Sequence, residues 1–200
     1  MSKTLCELLV IKTSGPPDFW ESLSWRVTVI SALFAAIVAL VQGGFALVQR
    51  FREIRWKQAE LARQLVDQWF SWEASNNALT MVDEGEGDYS LDRYGTHHVD
   101  PVNDIPKALE LTTSTEGATT VSNTPKDRFI RKCFDVLLYN FERVEYSIDI
   151  NVIRRDDVLA PTEYYVGQLA PYKKFLLPYI TFTRFSRALK FLTYFKKWGP

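Results

Sequence analysis

Between Arg26 and Arg50 lie 23 residues without one ionisable side chain, VTVISALFAAIVALVQGGFALVQ. As a helix this run is about 34 Å long, against roughly 30 Å of bilayer hydrocarbon. A core helix of a soluble domain keeps a polar face, and this run has none. Trp20 and Trp25 stand at one end and Phe51 and Trp56 at the other, where amphipathic rings anchor at the headgroup level. A cleaved signal peptide has a shorter apolar core and a small-residue cleavage site, whereas RFREIRWK follows here as a stop-transfer flank. The run predicts a transmembrane helix over residues 27–49.

Charge orients the span. Its N-terminal flank offers Lys12 and Arg26, offset by Asp18 and Glu21; its C-terminal flank offers Arg50, Arg52, Arg55, Lys57 and Arg63. The positive-inside rule places residues 1–26 outside as an extracytoplasmic tail and the C-terminal bulk in the cytoplasm. Cys6 and Cys133 then lie on opposite sides, so Cys133 reads as a reduced core residue.

No Gly or Pro occurs between Gly44 and Gly85, so the helix is expected to continue into the cytoplasm over 50–82. Ile54, Leu61, Leu65, Trp69 and Trp72 recur at helical spacing along it, and Ser75-Asn76-Asn77 is expected to break or cap it. The stretch 83–123 is acidic: from Asp83 to Thr124 nine acids face only Arg93 and Lys107. Without sustained periodicity it reads as a long flexible loop.

Thr124-Pro125-Lys126-Asp127 starts a helix with a capping hydroxyl, a proline at the first helical position and a carboxylate in the first turn. Ile130, Phe134, Leu137, Phe141, Val144 and Ile148 follow in steps of four and three, an apolar seam that must meet a partner. Pro161, Pro171 and Pro178 are expected to split the remainder into short helices. No stretch shows hairpin-type alternation. The fold class is therefore all-α: one N-terminal transmembrane helix, then a small cytoplasmic bundle over 124–200 that carries the long acidic loop.

Chemistry leaves little trace. There is no P-loop, no dinucleotide-binding glycine motif, no nucleophile elbow and no H-E-x-x-H. His97 and His98 could join Asp100 and Asp104 around a metal, but sequence neighbours diverge, and two solvated loop residues are expected instead. Glu142 and Glu145, with Asp135 and Asp149, read as a solvated acidic face paired with Arg52, Arg55 or Arg63. No catalytic, cofactor-binding or metal residue is assigned, and no enzyme is expected. A net charge of zero disfavours nucleic acid as a partner.

Two features remain. Ser31, Ala35, Ala39 and Gly43, in steps of four, form a ridge of small residues along which two helices could approach, and Gln42 beside it could hydrogen-bond across. From Tyr164 to Pro200 the chain carries seven Lys or Arg and no acid. Within TFTRFSRALKFLTYFKKW the cations Arg184, Arg187, Lys190, Lys196 and Lys197 are candidate contacts to anionic lipid. The alternatives are that the apolar side of this segment completes the bundle core, or that the acidic loop pairs with its cations.

REIRWKQAELARQLVDQW, RKCFDVLLYNFERVEYSI and EYYVGQLAPYKKFLLPYI together resemble a bacterial group of uncharacterised single-pass membrane proteins with a cytoplasmic helical domain. The likeness covers residues 25 to 198 as a loose pattern. It implies a place in the bacterial inner (plasma) membrane, and it supplies no activity and no catalytic residue. Some small proteins of this build act in phage defence. The expected function is a membrane-anchored interaction or scaffold protein that self-associates and recruits a cytoplasmic protein. The alternative is a membrane-perturbing effector of an abortive-infection system.

Overall fold

The computed structural model describes residues 17–113 and 119–199, with side chains from residue 24 onward. The chain forms two units, Met1–Ile54 and Arg55–Pro200. Most of the expected extracytoplasmic tail, residues 1–16, lies outside the described residues.

Helix α1 runs Pro17–Ser71. In the first unit it carries the apolar run, whose most hydrophobic 18-residue window has a mean hydropathy of 2.2 and not one buried residue. One helix is thus long and apolar enough to cross a membrane. Gly43 and Gly44 do not interrupt it. Thr28 and Ser31 return their hydroxyls to carbonyls one turn back, at Ser24 (2.9 Å) and Val27 (2.7 Å), so their polar groups are met within the helix.

In the second unit, the last turns of α1 lead through Trp72 to α2 (Glu73–Glu84). The break falls at Trp72, whose backbone turns extended, and not at the expected Ser75-Asn76-Asn77. Tertiary partners explain the difference. Asn140 donates to the buried Ser75 hydroxyl at 3.1 Å, and Asn77 donates to the Ser90 carbonyl at 2.6 Å. Side chains bonded elsewhere no longer compete for their own backbone.

The expected flexible acidic loop over 83–123 is instead largely ordered. Strands β1 (Gly87–Leu91) and β2 (Gly95–Val99) pair antiparallel, Tyr89 opposite His97. Three residues, Asp92 to Tyr94, connect them, and Gly95 follows at φ +75°, the left-handed conformation that such a turn requires. Helix α3 (Pro101–Leu109) starts at Asp100, whose carboxylate accepts from the Val102 amide at 3.1 Å, while Asp104 accepts from the Asp100 amide at 2.9 Å. A second small hairpin joins β3 (Leu111–Thr113) and β4 (Thr119–Val121), with residues 114–118 outside the described set. The hairpins modify an otherwise helical fold, which remains mostly α.

Helix α4 (Pro125–Asp149) is the centre of this unit. Thr124 caps it as expected, its hydroxyl accepting from the Asp127 amide at 3.1 Å. Asp127 is itself buried. Burial works against its charge, but hydrogen bonds from Ser122 and Thr124 prevail and hold the carboxyl below the usual range. The seam residues Ile130, Phe134, Leu137, Phe141 and Val144 are wholly buried. Helices α5 (Arg155–Leu169), α6 (Lys173–Thr183) and α7 (Ser186–Leu192) complete the unit, with a short 3-10 turn, Ala170–Tyr172, between α5 and α6.

Of the three prolines expected to split this part, only Pro171 marks a break; Pro161 and Pro178 lie inside α5 and α6. The core closes on an aromatic cluster. Trp69 packs edge-on against Phe141 (4.9 Å between ring centres) and Phe191 (6.0 Å), tying together α1, α4 and α7.

Candidate functional site

The small-residue ridge is built by helical spacing alone. Ser31, Ala35, Ala39 and Gly43 are exposed, as is Gln42, and a Cβ built on Gly43 or Gly44 meets no atom within 4 Å. Leu33, Phe34, Leu40 and Phe45 stand exposed on the same helix. No residue of the second unit is needed to define this face.

The basic C-terminal segment divides in two. Its first part meets the carboxylates of α4. Lys190 reaches Glu145 at 2.7 Å and is also bonded to Asp149, while the Arg187 guanidinium lies 3.8 Å from Asp149. The Arg187 amide donates to Glu142 at 3.2 Å and the Tyr194 hydroxyl to Glu145 at 2.6 Å. The guanidiniums of Arg155 and Arg187 lie over the rings of Tyr194 and Tyr146, at 3.9 and 5.2 Å.

These bonds follow from packing. Ala188, Phe191 and Leu192 are buried against α4, which brings the next face of α7 over the last turns of that helix. The acidic face expected to be solvated and paired with Arg52, Arg55 or Arg63 is therefore partly internal. Glu145 is fully buried, and its described partners are Lys190 and Tyr194. The hydrogen bonds to Asp149 and Glu145 hold the Lys190 ammonium above its ordinary range. Burial raises the Tyr194 phenol, helped by Glu145. The apolar side of the segment completes the core, with Phe195 and Trp198 also buried. The acidic stretch 83–123 supplies none of the ion pairs formed by Arg187 and Lys190 among the described residues.

The other candidate lipid contacts take different positions. Arg184 ends α6 in the left-handed conformation, φ +63°, and is exposed. Lys196 and Lys197 are exposed beside a cleft and form no ion pair among the described residues.

The two histidines diverge, as strand alternation requires. His97 turns inward onto the Phe129 ring at 5.1 Å. His98 faces outward, one nitrogen 2.9 Å from Asp88 and the other 2.9 Å from Glu86, and the hydrogen bonds to Glu86 and then Asp88 raise its pKa. Asp100 is occupied as a helix cap and Asp104 pairs with Lys126 at 2.8 Å. No group of three His, Cys, Asp or Glu suited to a metal occurs among the described residues. Cys133 is buried, and desolvation pushes its thiol up to about 12, so it is a poor nucleophile.

Fold and sites together define a mostly helical protein with one helix apolar enough to span a bilayer. No known protein family matches the chain, and neither the curated proteins nor the solved structures contain a match.

Proposed function

We propose that this protein is a membrane-anchored helical interaction module. Residues 27–49 span the plasma membrane once, the second unit lies in the cytoplasm, and two or more copies associate through the ridge of Ser31, Ala35, Ala39 and Gly43. The observation that carries this reading is the pairing of an apolar helix of mean hydropathy 2.2 with a face of exposed small residues, where a Cβ added at Gly43 meets no atom among the described residues. A bilayer provides no hydrophobic drive between helices, so close backbone approach and hydrogen bonds such as one from Gln42 hold them together. The second unit then serves as the surface that recruits a cytoplasmic protein, and the function involves no chemical step.

Crosslinking in native membranes tests the association. The double substitution Ala39→Ile, Gly43→Ile fills the ridge, and the open space around Gly43 lets a single chain accept it without a clash. The dimer band is expected to fall several-fold while the protein stays in the membrane. Undiminished dimers would show that the ridge faces lipid.

A further inference from the structure

Lys196 and Lys197 differ from Arg187 and Lys190 in lacking a carboxylate partner among the described residues. Both line a cleft of about 460 Å³ between α5 and the turn that follows α7. That volume falls within the roughly 300–1,000 Å³ of ordinary small-molecule sites. Phe195 and Trp198, both buried, form an apolar wall, and Trp198 is fixed by its indole N–H donating to the Val166 carbonyl at 3.0 Å.

Across from them, Glu163, Tyr164, Gly167 and Gln168 share one face of α5. Gly167 lies in the last turn of α5, where glycine is a weaker helix former than any residue but proline. Its backbone does not adopt a positive φ, so no turn demands it. Its bare backbone borders the cleft directly, with the Lys197 ammonium in van der Waals reach, 3.4 Å from where a Cβ would sit.

We propose that this cleft binds an amphiphile with a singly charged phosphodiester head, the head meeting Lys196 and Lys197 and the apolar body lying against Phe195 and Trp198. The lining carries two lysines and Glu163, and the Asp83 carboxylate accepts from the lining Tyr164 hydroxyl, so the positive potential is confined to the Lys196–Lys197 side and suits one phosphodiester charge better than a polyphosphate. Lysine ammoniums serve phosphate as mobile point charges and need no bidentate geometry. The half-buried Gln168, whose side chain is hydrogen-bonded to Tyr164, adds a polar edge to the lining. This site lies wholly within the second unit and does not depend on the ridge or on self-association.

Native mass spectrometry of the full chain in an uncharged detergent tests it, with dioctanoyl phosphatidylglycerol, dioctanoyl phosphatidylcholine and inorganic phosphate as probes. One phosphatidylglycerol is expected per chain, bound at least tenfold more tightly than phosphatidylcholine and displaced by phosphate only at large excess. Phosphate bound as tightly as phosphatidylglycerol would overturn the amphiphile and leave a free-phosphate site. Lys196→Gln with Lys197→Gln should weaken phosphatidylglycerol at least tenfold.

Gly167→Leu keeps every charge and fills the cleft. It should abolish binding while leaving the melting temperature unchanged or higher, because leucine favours helix. Should that variant melt lower, Gly167→Met supplies the same comparison with an unbranched side chain long enough to occupy the cleft. Binding that survives both Gly167 substitutions would be general attraction to a basic surface and would refute the site.

Discussion

The apolar residues of residues 27–49 and those of α4 are the same kinds, and their surroundings are opposite. Leu33, Phe34, Leu40 and Phe45 are each at least 60% exposed, whereas Phe129, Phe134, Leu137 and Phe141 are not exposed at all. The difference lies in what accompanies them. Along α4, charged side chains confine the apolar residues to one broad face that α2, α3 and α7 cover. Between Arg26 and Arg50 no charged side chain occurs, so apolar surface points in every direction, and the described residues of this run are exposed or half-buried. The first pattern is covered by protein, and the second belongs to a helix long and apolar enough to cross a membrane.

The largest test of that contrast is a pair of truncations read by thermal unfolding of the full chain in detergent. Phe141→Ala removes a ring packed against Trp69 and Phe191 and should destabilise the second unit by about 3–5 kcal/mol. Phe45→Ala should change the same transition by less than about 0.5 kcal/mol. Equal effects would mean that the apolar helix is part of one protein core.

A second pair sharpens the division of the basic segment. Glu145→Ala strips Lys190 and Tyr194 of an acceptor and should cost about 1–3 kcal/mol, whereas Lys196→Ala should stay within about 0.5 kcal/mol. The smallest effect is expected at the β1–β2 hairpin. His98 has a folded-state pKa raised by Glu86 and Asp88 above the ordinary 6.5. Its stabilising contribution is therefore complete below pH 6.5 and disappears as pH rises through the folded value. Proton NMR titration of the imidazole should show the raised value, and His98→Ala should remove that part of the pH dependence. A midpoint at or below 6.5 would contradict the hairpin geometry.

Much of this contrast was legible in the sequence. Thr124-Pro125 and the four-three seam named α4 and its buried face, and an uncharged run of 23 residues named the apolar helix. The hairpins were not legible, because strands of five residues or fewer carry too little alternation. Yet Asp100-Pro101 held the same signal as Thr124-Pro125, a capping oxygen followed by proline, inside a stretch whose acidity suggested a loop. Several of those acids do structural work: Asp100 caps α3, and Asp104 bonds to the Asp100 amide and to Lys126. The pairing of Glu145 and Asp149 with Lys190 joins residues more than forty apart, and only the packing of α7 on α4 brings them together. The cleft beside Gly167 was illegible for the same reason, although a glycine inside a helix was a visible irregularity.

A membrane-anchored module requires that the apolar segment be embedded in a bilayer. Alkaline carbonate washing of membranes from cells that make the full chain measures this directly, since it strips proteins held by surface charge and leaves spanning helices in place. The protein is predicted to remain in the membrane pellet; its release into the supernatant would contradict the account.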